Sequence, residues 1–192
     1  MNKKNRHGIT RYQMYQNIKK KLPNPISGRI LAISDIEGFV EMIDFDNSEI
    51  IETSFPEVDC QNLPFDDKSF DYVISDQVLE HITDPQKAIS EAHRVLKNDG
   101  VVIHTTVFTF YYHPSPIDYW RFSPDALEYL HRQYSNIILC GSWGNRLAYG
   151  ICMLGDRFAS LPIPNHKYSI RHLLATWNES RYPIVTYVMA KK

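Results

Sequence analysis

The sequence predicts an α/β domain built on a mostly parallel sheet, and three observations carry that expectation. Phe70-Asp71-Tyr72-Val73-Ile74-Ser75 is a β-branched and aromatic run with little alternation, the pattern of a strand covered on both faces. Ala88, Ile89, Ala92, Val95 and Leu96 then recur on a 3.6-residue period, which makes one apolar helical stripe. Val101-Val102-Ile103 starts a second apolar strand directly afterwards. Strand, helix and strand at this spacing form a right-handed unit whose two strands are parallel neighbours. A chain of 192 residues has room for one such domain with a sizeable core and little else.

Taken in order, residues 1–25 open the chain. Tyr12, Tyr15, Ile18 and Leu22 are spaced as one helical face, with lysines and arginines around them. This helix is expected either to lie on the domain edge or to lid a cleft. Pro23-Asn24-Pro25 and Ser27-Gly28 are linker and turn. Arg29 to Ser34 reads as a buried first strand and Glu49 to Thr53 as a second, with only a short helix over Phe39–Ile43 between them. After the central strand at 70–75, Asp84 is placed to cap the next helix and Pro85 sits in its first turn, where the missing N–H has no intrahelical partner. Lys97 suits that helix's C-terminal dipole, and Gly100 suits the turn that follows. Val101 to Phe108 is a further strand. Residues 108–124 are stiffened by Pro114 and Pro116, and Ser123-Pro124 restarts a helix with Ala126, Leu127, Leu130 and Tyr134 on its apolar side. Asn136–Cys140 and Ile184–Met189 read as the last two strands. The 141–183 stretch between them is longer than a hairpin needs and holds one or two helices, over Tyr149–Phe158 and Tyr168–Trp177, that could shape a pocket or a dimer contact.

Composition narrows the function classes. A net charge of -1 gives no electrostatic case for nucleic acid or an anionic membrane. Cys60, Cys140 and Cys152 are scattered and odd in number, so they suggest no disulfide framework and fit a reducing cytoplasm. The basic N-terminus lacks the apolar segment of a signal peptide, and no 18-residue uncharged apolar run is present. The histidines are scattered singly, with no metal-ligand spacing.

Several dispersed motifs carry a resemblance. Asp59-Cys60-Gln61-Asn62-Leu63-Pro64-Phe65, Ser69-Phe70-Asp71, Leu79-Glu80-His81, Asp84-Pro85 and Arg94-Val95-Leu96-Lys97 together resemble the class I S-adenosylmethionine-dependent methyltransferases, and more narrowly their type 11 branch. The resemblance implies a Rossmann-like sheet of seven strands, mostly parallel with the last antiparallel and helices on both faces. It also implies S-adenosylmethionine as cofactor. Ser34, Asp35 and Gly38 then occupy the first cofactor loop, Glu52 the ribose position, Asp59 and Cys60 the adenine pair, and Ser75 and Gln77 the methionine end. That first loop departs from the family: Ser34 and Ile36 stand where the family has glycines, and Ala32 where it has an acidic residue.

Asp118-Tyr119-Trp120-Arg121-Phe122-Ser123-Pro124 resembles a signature of type 11 enzymes acting on sugars or surface polysaccharides. With the nearby Tyr112, it offers Asp118, Trp120 and Arg121 as acceptor-facing candidates; the alternative is that Trp120 packs and pins the loop with Arg121 by a cation–π contact. His81, His104 and His113 are the candidate general bases, since imidazole titrates near working pH. The expected activity is methyl transfer to a small-molecule or glycan hydroxyl or amine. Its rival is a non-catalytic binding or assembly module that keeps the fold without the cofactor, as the altered loop would allow.

Overall fold

The computed structural model describes residues 8–154, 162–164, 166 and 168–192. Its described elements are α1 (Ile9–Lys19), β1 (Gly28–Ile33), α2 (Glu37–Met42), β2 (Ser48–Thr53), β3 (Phe70–Asp76) and a 3-10 turn at Leu79–His81. They continue with α3 (Pro85–Val95), β4 (Leu96–Val107), α4 (Pro124–Leu130), β5 (Asn136–Trp143), α5 (Arg146–Met153), α6 (Ile170–Thr176) and β6 (Val185–Lys191). The strands form one sheet in the order β2-β1-β3-β4-β6-β5. The first four are parallel, and β6 runs antiparallel between β4 and β5.

The expected central unit is present. Asp84 accepts from the Lys87 N–H at 3.0 Å, Pro85 opens α3, and Ala88, Ile89, Ala92 and Val95 are all buried against the sheet. Truncating Ile89 to Ala there would cost roughly 2–5 kcal/mol, the range for emptying a well-packed site. Asp99, and not Gly100, adopts the left-handed conformation after the helix. Gly100 is needed for space, because a Cβ would stand 2.9 Å from the Lys97 carbonyl oxygen. Lys97 meets Asp71 at 2.7 Å.

Two apolar layers sandwich the sheet. One holds α1, α2, α5 and α6 around Ile30, Ile74, Ile103 and Trp143. The other holds α3 and α4 around Leu31, Val73, Val102 and Val188. The first helix is therefore part of the core: Met14, Tyr15 and Ile18 are fully buried. The basic residues Lys3, Lys4 and Arg6, and the far end of the Tyr149–Phe158 helix expectation, lie outside the described residues.

The expectation of seven strands is corrected to six among the described residues. The segment after β2 does not extend the sheet edge. Its prolines Pro56 and Pro64 cannot donate to a strand ladder. Turn bonds, from the Val58 N–H to the Ser54 carbonyl and from the Asn62 N–H to the Asp59 carbonyl, fold it over the strand ends instead. Arg94 of α3 anchors that fold by donating to the carbonyls of Leu63 and Phe65 at 2.9 and 2.7 Å while pairing with Glu91 and Asp67.

Candidate functional site

In an open parallel sheet, ligand sites form beyond the carboxyl ends of the strands. A cavity of about 560 Å³ opens there, lined by Ile33 and Ser34 after β1, Thr53 to Phe55 after β2, the Val58–Gln61 turn, and Gln77 and Val78 after β3. Its remaining wall is His81 to Thr83 and the Ser115–Ile117 and Tyr119 stretch of the long loop. The volume is that of a drug-sized ligand or cofactor site.

The backbone is strained where the two central strands end. Ser34 and Gln77 both hold positive φ, 69° and 58°, which residues with a Cβ adopt rarely. Ser34 thus takes a conformation suited to glycine, and its N–H donates to the Thr53 carbonyl at 2.8 Å. Gln77 is held by Thr105, whose hydroxyl receives the Gln77 side-chain amide at 3.1 Å. Ile36 does not intrude on the cavity. It is fully buried in the layer that packs α1 and α2.

Gly38 serves a different neighbour from the one expected. A Cβ there would stand 2.5 Å from the Tyr15 hydroxyl, so this glycine makes room for α1. Tyr15 in turn hydrogen-bonds to Asp76 at the end of β3, and Arg11 reaches the same carboxylate at 3.1 Å. Burial, with the adjacent Asp76 charge, pushes the Tyr15 hydroxyl above its ordinary range. Neither Gly38 nor Asp35 lines the cavity; Asp35 accepts from the Glu37 N–H at 2.6 Å and shapes the start of α2.

Of the other sequence-derived cofactor residues, Asp59, Cys60 and Gln77 line the cavity. Asp59 accepts from Gln61 at 2.8 Å, and Cys60 is buried, with its thiol pushed up to about 12 by burial and by the Asp59 charge. Glu52 is exposed and is not in the lining. Side chains alternate along a strand, and at the end of β2 the inward position belongs to Thr53. Ser75 is buried beneath the cavity and bonds His104 at 2.5 Å.

The three histidines separate. His104 is wholly buried, 5.2 Å ring to ring from His131, and burial holds its pKa well below the ordinary value. The placement of His104 at a cleft wall is therefore corrected: its side chain turns into the layer under α4 and stays neutral. His81 lines the cavity, and its Nδ1 faces the Ile117 carbonyl at 2.7 Å. His113 lies just behind it, with ring centroids 5.0 Å apart.

The acceptor-facing set is also redistributed. The Asp118 side chain is inaccessible to solvent and accepts from both Arg121 terminal nitrogens, at 2.5 and 2.7 Å, and from the His113 N–H at 2.9 Å. These bonds hold its carboxyl below the usual carboxylate range. Arg121 also donates to the Tyr111 and Trp120 carbonyls at 3.0 and 2.7 Å. Trp120 gives its indole N–H to the Ile82 carbonyl at 2.8 Å, and Tyr112 is largely exposed. None of these four lines the cavity; together Asp118, Trp120 and Arg121 brace the loop so that Ile117 and Tyr119 do. The alternation of the motif hid Tyr119. Thr53 and Tyr119 carried no sequence signal beyond their neighbours' motifs, whereas Asp76 could have been suspected from its place at a strand end.

Comparison with known proteins agrees with this geometry. Residues 21–104 match a family model described as a methyltransferase domain, type 11. A demethylmenaquinone methyltransferase of Staphylococcus epidermidis is 34% identical over 76 residues, 40% of this chain and 32% of that protein. An uncharacterized 37.1 kDa protein in a Streptomyces fradiae transposon is 32% identical over 77 residues, 40% of this chain and 22% of that one. The chain thus aligns with only about a fifth to a third of the length of the curated relatives it matches. Among solved structures, a methyltransferase of Thermotoga maritima superposes with TM-score 0.57 at 16% identity, covering 96% of this chain and 90% of that one. A phosphoethanolamine N-methyltransferase of Haemonchus contortus bound to S-adenosyl-L-methionine gives 0.58 at 15%, covering 94% and 52%. These likenesses show the fold. Over residues 21–104, less than half of its length, the chain is similar to the type 11 methyltransferase domain.

Proposed function

We propose that the protein transfers a methyl group from S-adenosylmethionine to a small-molecule or sugar-type acceptor. The observation that carries this is the cavity at the ends of β1, β2 and β3, which stays open although the first loop has lost its glycines. Ser34 supplies the left-handed turn itself, and Ile36 points into the core, so the substitutions leave space for a cofactor. The donors and acceptors along the wall match its parts. Asp59 can accept from an exocyclic amine, Thr53 and Ser54 can bond ribose hydroxyls, and Ser34 and Gln77 border the amino-acid end.

The cofactor supplies a methyl on a sulfonium, whose leaving group is already activated. The chain's contribution is then alignment, exclusion of water and removal of an acceptor proton. Alignment falls to Gln77, held by Thr105, and to the Ile117–Tyr119 wall, held by the Asp118–Arg121 brace. Proton removal falls to His81. Its Nδ1 must carry hydrogen to meet the Ile117 carbonyl, which leaves Nε2 as a free acceptor. The aromatic and apolar wall with one imidazole suits an acceptor that combines an apolar face with hydroxyl groups.

Calorimetric titration with S-adenosylmethionine and its demethylated product tests this reading. Micromolar binding supports it, and labelled-methyl transfer to nucleotide sugars and glycans would then locate the acceptor. One observation favours the rival: Tyr15 fills the space at Gly38 that a cofactor's methionine end would approach. Absence of binding in a cooperatively folded protein would select that non-catalytic reading.

A further inference from the structure

We propose that Glu80, His81 and His113 form a binding site for a divalent transition-metal ion at the cavity wall. Each offers one ligand atom, and these atoms all lie within 4.8 Å of one another. Two nitrogens and one carboxylate oxygen form a donor set used for zinc and for iron in the divalent state.

Three features of the surroundings argue for a built site. The Glu80 side chain is wholly inaccessible; its Oε2 accepts from the Thr106 hydroxyl at 2.7 Å, while its Oε1 has no hydrogen-bond partner. That orphaned oxygen faces His113 Nε2 at 3.9 Å. Leaving a buried carboxylate oxygen unpaired is costly, and a cation between the two atoms would relieve it.

The second feature is the tautomer of each ring. His113 Nδ1 has only acceptors beside it, the Asp118 carboxylate at 3.2 Å and the Tyr111 carbonyl at 3.1 Å, so it carries the hydrogen. His81 Nδ1 likewise faces only the Ile117 carbonyl. Both rings are therefore set with Nε2 lone pairs available. A ring whose other nitrogen donates to a carboxylate or carbonyl is the usual outer-shell arrangement behind a metal-bound histidine. With His113 Nε2 unprotonated and Glu80 ionised, two lone pairs confront each other across the 3.9 Å gap, and a cation bound between them would satisfy both.

The third feature is the tie between the two segments that bring the ligands. The N–H groups of Tyr119 and Trp120 both donate to the Glu80 carbonyl, at 2.8 and 3.2 Å, which fixes the long loop to the Leu79–His81 turn. The fold thus supplies the spacing that the sequence hides: adjacent residues 80 and 81 meet residue 113 only in three dimensions. Tetrahedral ligands on zinc stand about 3.3 Å apart, so small side-chain rotations would complete the site. Occupied, it would convert His81 from free base to ligand. Ion binding itself does not depend on the methyl-transfer reading, and it is measured without the cofactor.

The test uses untagged full-length protein, metal-stripped and titrated with Zn2+ by calorimetry and with Co2+ by visible absorption. One ion per chain at micromolar affinity or tighter is expected, with Co2+ showing the bands of a low-coordinate nitrogen and oxygen site. His113→Ala and Glu80→Gln should each weaken uptake at least 100-fold, whereas His93→Ala, far from the site, should leave it unchanged. Melting curves in the metal-free state verify that each variant folds. No stoichiometric uptake by folded wild type, or equal uptake by folded His113→Ala, overturns the proposal.

Discussion

Replacing Arg121 with Leu isolates what the brace of the long loop contributes. The Asp118 carboxylate is fully buried and takes two charge-assisted bonds from Arg121, at 2.5 and 2.7 Å, and one from the His113 N–H at 2.9 Å. The substitution removes the positive partner and leaves the carboxylate with a single main-chain donor and the nearby His113 ring. Breaking a buried pair from one side costs about 3–5 kcal/mol; the surviving donors place this case at the lower end, about 3 kcal/mol. For 192 residues the unfolding entropy is about 0.4 kcal/mol/K, so calorimetry should show a melting point about 7 °C lower. Asp118→Asn in the same background should recover part of the loss, because it removes the stranded charge. The pH dependence has a definite sign. Asp118 is depressed in the folded state, so its stabilisation is full above its unfolded pKa, about 3.9, and fades as pH falls toward the folded value. The gap between wild type and variant should therefore narrow below about pH 4. A drop of less than about 2 °C at pH 7, with no narrowing in acid, would show that the pair does not hold the loop.

Three other outcomes follow from named contacts. Burial lowers His131 to about 4, below the unfolded value of about 6.5, so its contribution is present above pH 6.5 and lost on acidification. That amounts to about 3 kcal/mol between pH 6.5 and 4, and a His131→Gln variant should lose this slope in chemical denaturation. Gly38→Ala drives a methyl against the Tyr15 hydroxyl, for an expected cost of about 1–3 kcal/mol, part of which Tyr15→Phe should recover; additive melting shifts would contradict the contact. Asp59→Ala should weaken S-adenosylmethionine binding by about 1–3 kcal/mol, and unchanged calorimetric affinity in the folded variant would remove Asp59 from the site.

The fold was largely legible because its signals are local and redundant. Asp84, Pro85 and the Ala88–Val95 stripe each specify the same helix by a different mechanism, and the structure uses all three. The strand count was less legible. Whether Phe55–Phe65 pairs at the sheet edge or caps it depends on Arg94, which lies in α3 and reaches two of its carbonyls. No property of the segment alone reports that anchor.

The site divides along the same line. Gln77, just past the end of β3, and Asp59, which the family resemblance marks, fall in the cavity, whereas Glu52 at the end of β2 does not. Residues picked by chemical type do not follow so simply, because type says nothing about direction. His104 and His81 carry the same ring, yet one faces a buried serine and a second imidazole while the other meets the cavity. Asp118 and Arg121 are the residues one would choose to hold a sugar, and they instead hold each other. Their mutual satisfaction is what fixes His113 beside Glu80: Asp118 accepts from the His113 main chain and stands 3.2 Å from its ring nitrogen. A motif that resembles a substrate-binding signature thus acts here one step back, by orienting the imidazole that could hold an ion. Its acidic and basic members are constrained by the tautomer they impose as well as by the loop they brace.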